Sequence, residues 1–104
     1  MRKHTPWGAV QHHEVLAPGI ISYSTAGHGG IWLDATHRKQ LEDVPNWLNT
    51  PEWWEEDCDW AVPFIMFKDE IQAHGTAFNF NENLSAAWRT IEFNHKDFFK
   101  RMAA

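Results

Sequence analysis

Cys58, His28 and Asp57 are the residue types that nucleophilic catalysis requires. Cys58 would be the nucleophile, His28 the base and Asp57 the carboxylate that orients the base. Four acidic residues lie within three positions of Cys58, and negative neighbours raise the pKa of a thiol. We therefore predict a structural cysteine and a protein that is not an enzyme, with catalysis at this centre as the alternative.

The segment Gly27-His28-Gly29-Gly30 could form a binding loop. Three glycines around a polar side chain let a backbone approach a ligand closely, and exposed N–H groups can hold an anion. The Lys and Ser/Thr of a P-loop are absent, so neither nucleotide motif fits. The segment therefore indicates either a tight turn with positive φ or a site for a small ligand or nucleotide. The residues of that alternative site are His28, Gly29, Gly30, Asp57 and Cys58.

Seven histidines raise the question of a metal site. His12 and His13 are adjacent and point to opposite faces of a strand, so they cannot share an ion simply. His12 and Glu14 lie on one face, where His28 could join them, but no helical His pair accompanies them. We predict no metal and no cofactor. A further hypothesis pairs Asp57 with the His28 loop as a structural clasp.

Residues 47–60 combine four of the seven tryptophans with five acidic and no basic side chains. Because phosphate binding needs clustered Lys and Arg, we predict no direct nucleic-acid contact. A protein or nucleoprotein complex with a basic surface fits better, and Trp is enriched at interface hot spots. The alternative is a solvated helix face above a packed core. The predicted partner-binding residues are Trp47, Glu52, Trp53, Glu55, Glu56 and Asp59.

The elements that position these residues follow from periodicity. Residues 8–16, 20–25 and 31–33 have the character of strands, and Ala17-Pro18-Gly19 suits a type II turn. Asp34 is a predicted N-cap for a short helix that ends near Leu41. The pattern predicts an α+β fold: a three-stranded antiparallel meander followed by about three helices packed on one face.

The later helices carry the acidic region. Thr50-Pro51-Glu52 predicts the start of a helix that runs to residue 67, with a kink or restart at Pro63. On that helix Asp57 falls between two apolar stripes, whereas Glu52, Glu55, Glu56 and Asp59 face water. Residues 68–82 indicate a loop. A closing helix of about 19 residues begins near Leu84, with a potential break at Asn94-His95.

The chain of 104 residues suits a single domain spanning residues 1–104. Its apolar runs fall far short of the roughly 20 residues of a membrane span, and no apolar signal core follows the first residues. One cysteine allows no internal disulfide. These features predict a cytoplasmic protein without membrane contact, and a homodimer is compatible with them.

Two segments, STAGHGGI at residues 24–31 and EEDCDWA at residues 55–61, occur with Thr5-Pro6-Trp7-Gly8 and Ala17-Pro18-Gly19-Ile20. Together they resemble a family of small uncharacterised proteins from phages, plasmids and other mobile elements of proteobacteria, over residues 5–67. The resemblance implies a context in which small proteins often inhibit a host factor. We therefore expect a binding protein that inhibits by protein–protein contact, most concretely a defence-system inhibitor of the anti-CRISPR type.

Overall fold

The computed structural model describes residues 2–104 and contains, within them, two antiparallel sheets and five helices. In chain order the elements are β1 (His4–Thr5), β2 (Gly8–Ala9), β3 (His12–Ala17), β4 (Ile20–Ser24), β5 (Gly29–Leu33), α1 (Ala35–Lys39), β6 (Trp53–Glu55), α2 (Ala61–Met66), α3 (Lys68–His74), α4 (Phe80–Asn94) and α5 (Lys96–Ala103). Strands β1 and β2 form a small hairpin, and the other four form one sheet in the order β3-β4-β5-β6. The predicted α+β class is confirmed.

The predicted meander is present as β3, β4 and β5, each antiparallel to its neighbour. In the first turn Gly19 has a φ of 82°, which glycine adopts without strain, as the predicted turn requires. In the second turn, Thr25 N–H donates to the His28 carbonyl at 2.7 Å. Gly27 has no positive φ, so the predicted positive-φ turn is wrong.

Gly30 lies inside β5 and is needed for packing. A Cβ at this position would lie 2.6 Å from the Trp7 ring and would also collide with the Trp54 carbonyl. The side chain is therefore absent because the N-terminal hairpin and strand β6 approach the backbone closely.

The helix predicted from residue 50 is wrong in its first ten residues. Trp53 and Trp54 instead pair with Trp32 and Ile31 and add a fourth strand to the sheet. Both indoles are buried, on opposite faces, which is the period of a strand. Thr50 does act as a cap, but its hydroxyl accepts from Glu52 N–H at 3.2 Å in a single turn.

Helix α2 begins at Ala61, so Pro63 lies in its first turn. The missing N–H of proline has no intrahelical partner there in any case, and the restart allowed for at Pro63 occurs two residues earlier. The loop predicted for residues 68–82 is also partly wrong, because α3 occupies residues 68–74 with Ile71 fully buried. Gly75 ends α3 with a φ of 77°.

Two other helix boundaries agree with the sequence pattern, whereas α4 begins at Phe80, four residues before the predicted start near Leu84. Asp34 caps α1, accepting from His37 N–H at 3.0 Å. The closing helix is broken at His95, whose φ of −136° separates α4 from α5. No helix within residues 2–104 combines the length and apolar character that crossing a bilayer would need.

The four-stranded sheet has two differently covered faces. Ile31 and Trp54 contribute to the main core, which contains buried residues of α2, α3, α4 and α5. On the other face Trp53 packs edge-to-face against Trp7 of the β1–β2 turn, with ring centroids 5.5 Å apart. Tyr23 lies beside Trp53 on this face, 5.9 Å between ring centroids. The sheet therefore lies between helices and the N-terminal hairpin.

Candidate functional site

The predicted partner-binding residues are divided between the surface and the interior. Because residues 53–55 form a strand and residues 56–60 form turns, the acids do not share one face of a helix. Trp53, Glu55 and Asp59 are buried, so the prediction that they face a partner is wrong. Trp47 and Glu56 are exposed, as predicted.

Glu52 is half-buried and engaged within the chain. Its carboxylate accepts from Arg2 at 2.9 Å, from the Trp32 indole at 2.9 Å and from Arg38 at 3.2 Å. These contacts tie the N-terminus, β5 and α1 together. Glu52 is accordingly a structural residue of the sheet edge, and its predicted role in partner binding is not supported by its contacts.

Asp59 is the buried acid of this region, with 2% of its surface exposed. One carboxylate oxygen accepts from Trp47 N–H at 2.7 Å, and the other accepts from His95 Nε2 at 2.9 Å. Cys58 Sγ lies 3.7 Å from the second oxygen. Because the two oxygens belong to one carboxylate, Asp59 holds the loop at Trp47 next to the junction of α4 and α5.

Two of the large exposed aromatic residues flank these Asp59 contacts along the chain. Trp47 is 79% exposed, and Phe93, two residues before His95, is 80% exposed. Phe93 borders a groove of about 310 Å³ whose lining also includes Val44, Pro45, His95 and Phe98. We call Trp47, Phe93 and this groove the aromatic surface.

Sequence reasoning identified Trp47 but missed Phe93. Phe93 lies two residues after Ile91, which is 200° around a helix, and so faces away from the apolar stripe of α4. A large apolar residue on the polar face of an amphipathic helix was the available signal. The side chain of His95 is 10% exposed and contacts Asp59, which the sequence pattern placed on the water-facing side.

The glycine loop does not form the predicted ligand pocket. Gly29 and Gly30 lie within β5 and are buried, and only Gly27 and His28 belong to the exposed turn. A cavity of about 250 Å³ on the helix side of the sheet is lined by Gly30 and Glu56, but not by His28, Asp57 or Cys58. This cavity therefore does not bring together the five described residues of the predicted ligand site.

The electrostatic environment of Cys58 opposes a nucleophilic role. Burial raises the pKa of its thiol, as do the negative charges of Asp59 and Glu55, from an ordinary 9.0 to about 11. A thiol with this pKa is almost entirely protonated near neutral pH, and the thiol form is a poor nucleophile. The expected pKa increase from acidic neighbours is present, and it disfavours the catalytic alternative.

The two sequence motifs are brought together, although not as the Asp57 clasp predicted. Glu56 N–H donates to the Gly29 carbonyl at 2.9 Å, and His28 Nδ1 lies 3.9 Å from Glu56 Oε1. Asp57 is exposed, so its predicted place between apolar stripes is wrong. Ligand atoms of His28, Glu55 and Asp57 nevertheless lie within 4.8 Å of one another.

Glu55 is the buried member of this group. Its side chain accepts a hydrogen bond from the backbone N–H of Asp57. Burial raises the pKa of Glu55, and the Asp57 and Asp59 carboxylates raise it further, although hydrogen bonding from Asp57 acts in the opposite direction. The negative charge of Glu55 therefore lies in an unfavourable environment.

Comparison with known proteins identifies a family that matches this chain. The sequence profile of a family described as a domain of unknown function, DUF7007, matches residues 1–104. No curated protein and no solved structure matches the chain.

Proposed function

As the chain belongs to the DUF7007 family of uncharacterised proteins, we propose its function from its own surface: it binds another protein through the aromatic surface and acts by that contact. The observation that carries the proposal is that one buried carboxylate, Asp59, binds the backbone N–H of exposed Trp47 and the side chain of His95, two residues after exposed Phe93. Single exposed apolar residues are ordinary on protein surfaces. Here, however, Asp59 fixes the backbone of one aromatic segment against the other.

A fixed backbone lowers the entropic cost of binding. Trp and Phe present a large apolar area with few rotatable bonds, and Trp is the residue type most enriched at interface hot spots. Because Trp47 N–H and His95 are held by Asp59, the loop does not have to be ordered when a partner arrives. The aromatic surface is thus arranged as a rigid anchor.

The charges around the aromatic surface indicate the chemistry of the partner. Exposed acids flank it at Glu42, Asp43, Glu92 and Asp97, whereas Lys96 is the basic residue in the groove lining. Asp43 is partly offset by Arg101 at 3.3 Å. The favoured partner is a protein face with an apolar centre and a basic rim, because opposite charges at the rim steer association.

The biological setting proposed for this contact comes from the resemblance of the two sequence motifs. We place the protein in a phage or other mobile element, in the cytoplasm of the host cell, where it inhibits a host protein or nucleoprotein complex. A defence complex is the most concrete target, as in anti-CRISPR proteins. A basic nucleic-acid-binding groove would meet both requirements of the aromatic surface, an apolar centre and a basic rim.

The test compares matched surface variants. Trp47→Ala/Phe93→Ala removes the aromatic surface, and Phe78→Ala removes an equally exposed aromatic, 76% accessible, before the opposite end of α4. A stoichiometric partner captured by the wild type from host lysate should bind the double variant at least about 30-fold more weakly. Binding to Phe78→Ala should be unchanged, and added salt should weaken wild-type binding.

Two results would contradict the proposal. The first is a partner whose affinity falls equally in Phe78→Ala and in the double variant. The second is a homodimer, seen by analytical ultracentrifugation, that dissociates in Trp47→Ala/Phe93→Ala, because the aromatic surface would then be occupied by a second copy of the chain.

A further inference from the structure

The geometry points to a divalent cation site formed by His28, Glu55 and Asp57, which we propose binds a transition ion of the zinc class. The side chains come from the β4–β5 turn, from strand β6 and from the turn after it, and their ligand atoms lie within 4.8 Å of one another. An imidazole nitrogen with two carboxylate oxygens is a ligand set that Zn²⁺ accepts. The site shares no residue with the aromatic surface and does not depend on the proposed function.

The backbone positions of the three residues are fixed independently of any ion. The His28 carbonyl accepts from Thr25 N–H and from the Thr25 hydroxyl, each at 2.7 Å. Glu55 pairs with Gly30 in the sheet, and Glu56 N–H donates to the Gly29 carbonyl. Ligands on two such neighbouring segments need only side-chain rotation to reach one ion.

Glu55 provides the observation that a solvated acidic surface does not explain. It is 9% exposed, and the hydrogen bond that its carboxylate accepts within the described residues comes from Asp57 N–H, inside the group. Burial of a carboxylate is costly, and Glu56 and Asp57 add two further negative charges beside it. A divalent cation would offset two of these three negative charges.

The distances suit a first coordination shell after small movements. Ligand atoms bound at about 2.0–2.1 Å in a tetrahedral site lie roughly 3.4 Å apart, so the group has to contract by an ångström or so. His28 and Asp57 are exposed, which leaves both free to rotate and leaves room for water at a fourth position. Glu56, 3.9 Å from His28, is placed to stabilise the bound imidazole.

Metal binding is tested with the purified full chain, stripped with a chelator and titrated with ZnCl₂ and separately with MnCl₂ at pH 7. We expect one ion per chain and a higher melting temperature with metal. His28→Ala and Asp57→Asn should each weaken binding at least about 10-fold. His74→Ala, an exposed histidine on α3, is the matched control and should bind as the wild type does. Preference for Mn²⁺ over Zn²⁺ would overturn the assigned ion class.

A second variant separates metal binding from a structural role. Glu55→Gln keeps an oxygen that accepts from Asp57 N–H but removes the buried charge. The metal-free variant should melt at or above the temperature of the wild type, whereas its stabilisation by Zn²⁺ should be lost. Binding of neither ion by the wild type, or equal binding by wild type, His28→Ala and Glu55→Gln, would overturn the site.

Discussion

At the scale of single residues, Asp59 and Asp57 exchange the roles that the sequence pattern gave them. On a helix, Asp57 would lie between apolar stripes and Asp59 would face water. The chain forms a strand and turns instead, so Asp59 is buried against Trp47 and His95 and Asp57 is exposed. The two aspartates were misplaced because a helix was predicted where a strand and turns form. Side chains repeat their direction every 3.6 residues in a helix but every 2 residues in a strand, so the same residues point to different sides.

The same scale explains what could be predicted of the chemistry at Cys58. Neighbours in sequence remain neighbours in space whatever the element, so the sequence predicted correctly that acids would raise the thiol pKa. The contact between Asp59 and His95 spans 36 residues, and no local pattern indicates it. Residue-scale predictions were therefore reliable for local charge and unreliable for long-range partners.

The raised pKa of Cys58 gives a testable reactivity. With a pKa of about 11 instead of 9.0, the thiolate fraction at pH 8 falls about 100-fold. Alkylation by iodoacetamide in the presence of a chelator should therefore be slow at pH 8 and rise steadily to above pH 10. The urea-unfolded chain is the control and should react at an ordinary rate. A midpoint near pH 8 in the folded protein would contradict the assigned environment and revive the nucleophile hypothesis.

At the scale of elements, the predictions were correct where a single local residue preference determined a helix start or a turn. Asp34 capped α1 as expected, and Gly19 supplied the positive φ of the β3–β4 turn. Thr50-Pro51-Glu52 is an equally good local signal for a helix, but pairing of Trp53 and Trp54 with β5 overrides it. That pairing buries two indoles, and a sequence window cannot show that a free sheet edge is available.

The contacts of His37 with Asp34 and Glu70, which join α1 to α3, provide an element-scale prediction. The ring of His37 lies between two carboxylates, with Nδ1 2.7 Å from Asp34 and Nε2 2.7 Å from Glu70. Burial lowers the pKa of His37, but hydrogen bonds to both carboxylates outweigh it and raise the pKa above 6.5. The folded state thus binds the proton more tightly than the unfolded chain does.

The sign of the resulting pH dependence is fixed by this shift. The stabilisation from His37 should be complete below about pH 6.5, the unfolded pKa, and should be lost as pH rises through the higher folded pKa. We expect the free energy of unfolding, measured in urea from pH 5 to 9, to fall more steeply for the wild type than for His37→Gln. Glu70→Gln should show an intermediate slope. Parallel profiles for all three proteins would show that protonation of His37 between Asp34 and Glu70 is not linked to folding.

At the scale of the whole molecule, the aromatic residues serve two separate purposes. Trp7, Trp53 and Trp54 cover the two faces of the sheet, whereas Trp47 lies on the aromatic surface. Composition revealed the excess of tryptophan but could not divide it, because the division depends on which face of the sheet each element covers. The sequence predicted helices on one face and did not predict that the N-terminal hairpin would cover the other.

Two tryptophan substitutions test this division. Trp7→Ala removes the ring that packs on Trp53 and above Gly30, so we expect a loss of about 1–3 kcal/mol in the free energy of unfolding. Trp47→Ala removes an exposed ring while leaving the backbone N–H that Asp59 accepts, and should change stability by less than about 0.5 kcal/mol. Urea denaturation measures both, and Trp7→Phe should recover part of the loss because it restores an aromatic ring over the sheet. A loss below about 0.5 kcal/mol for Trp7→Ala as well would mean that packing of the hairpin through Trp7 does not stabilise the sheet.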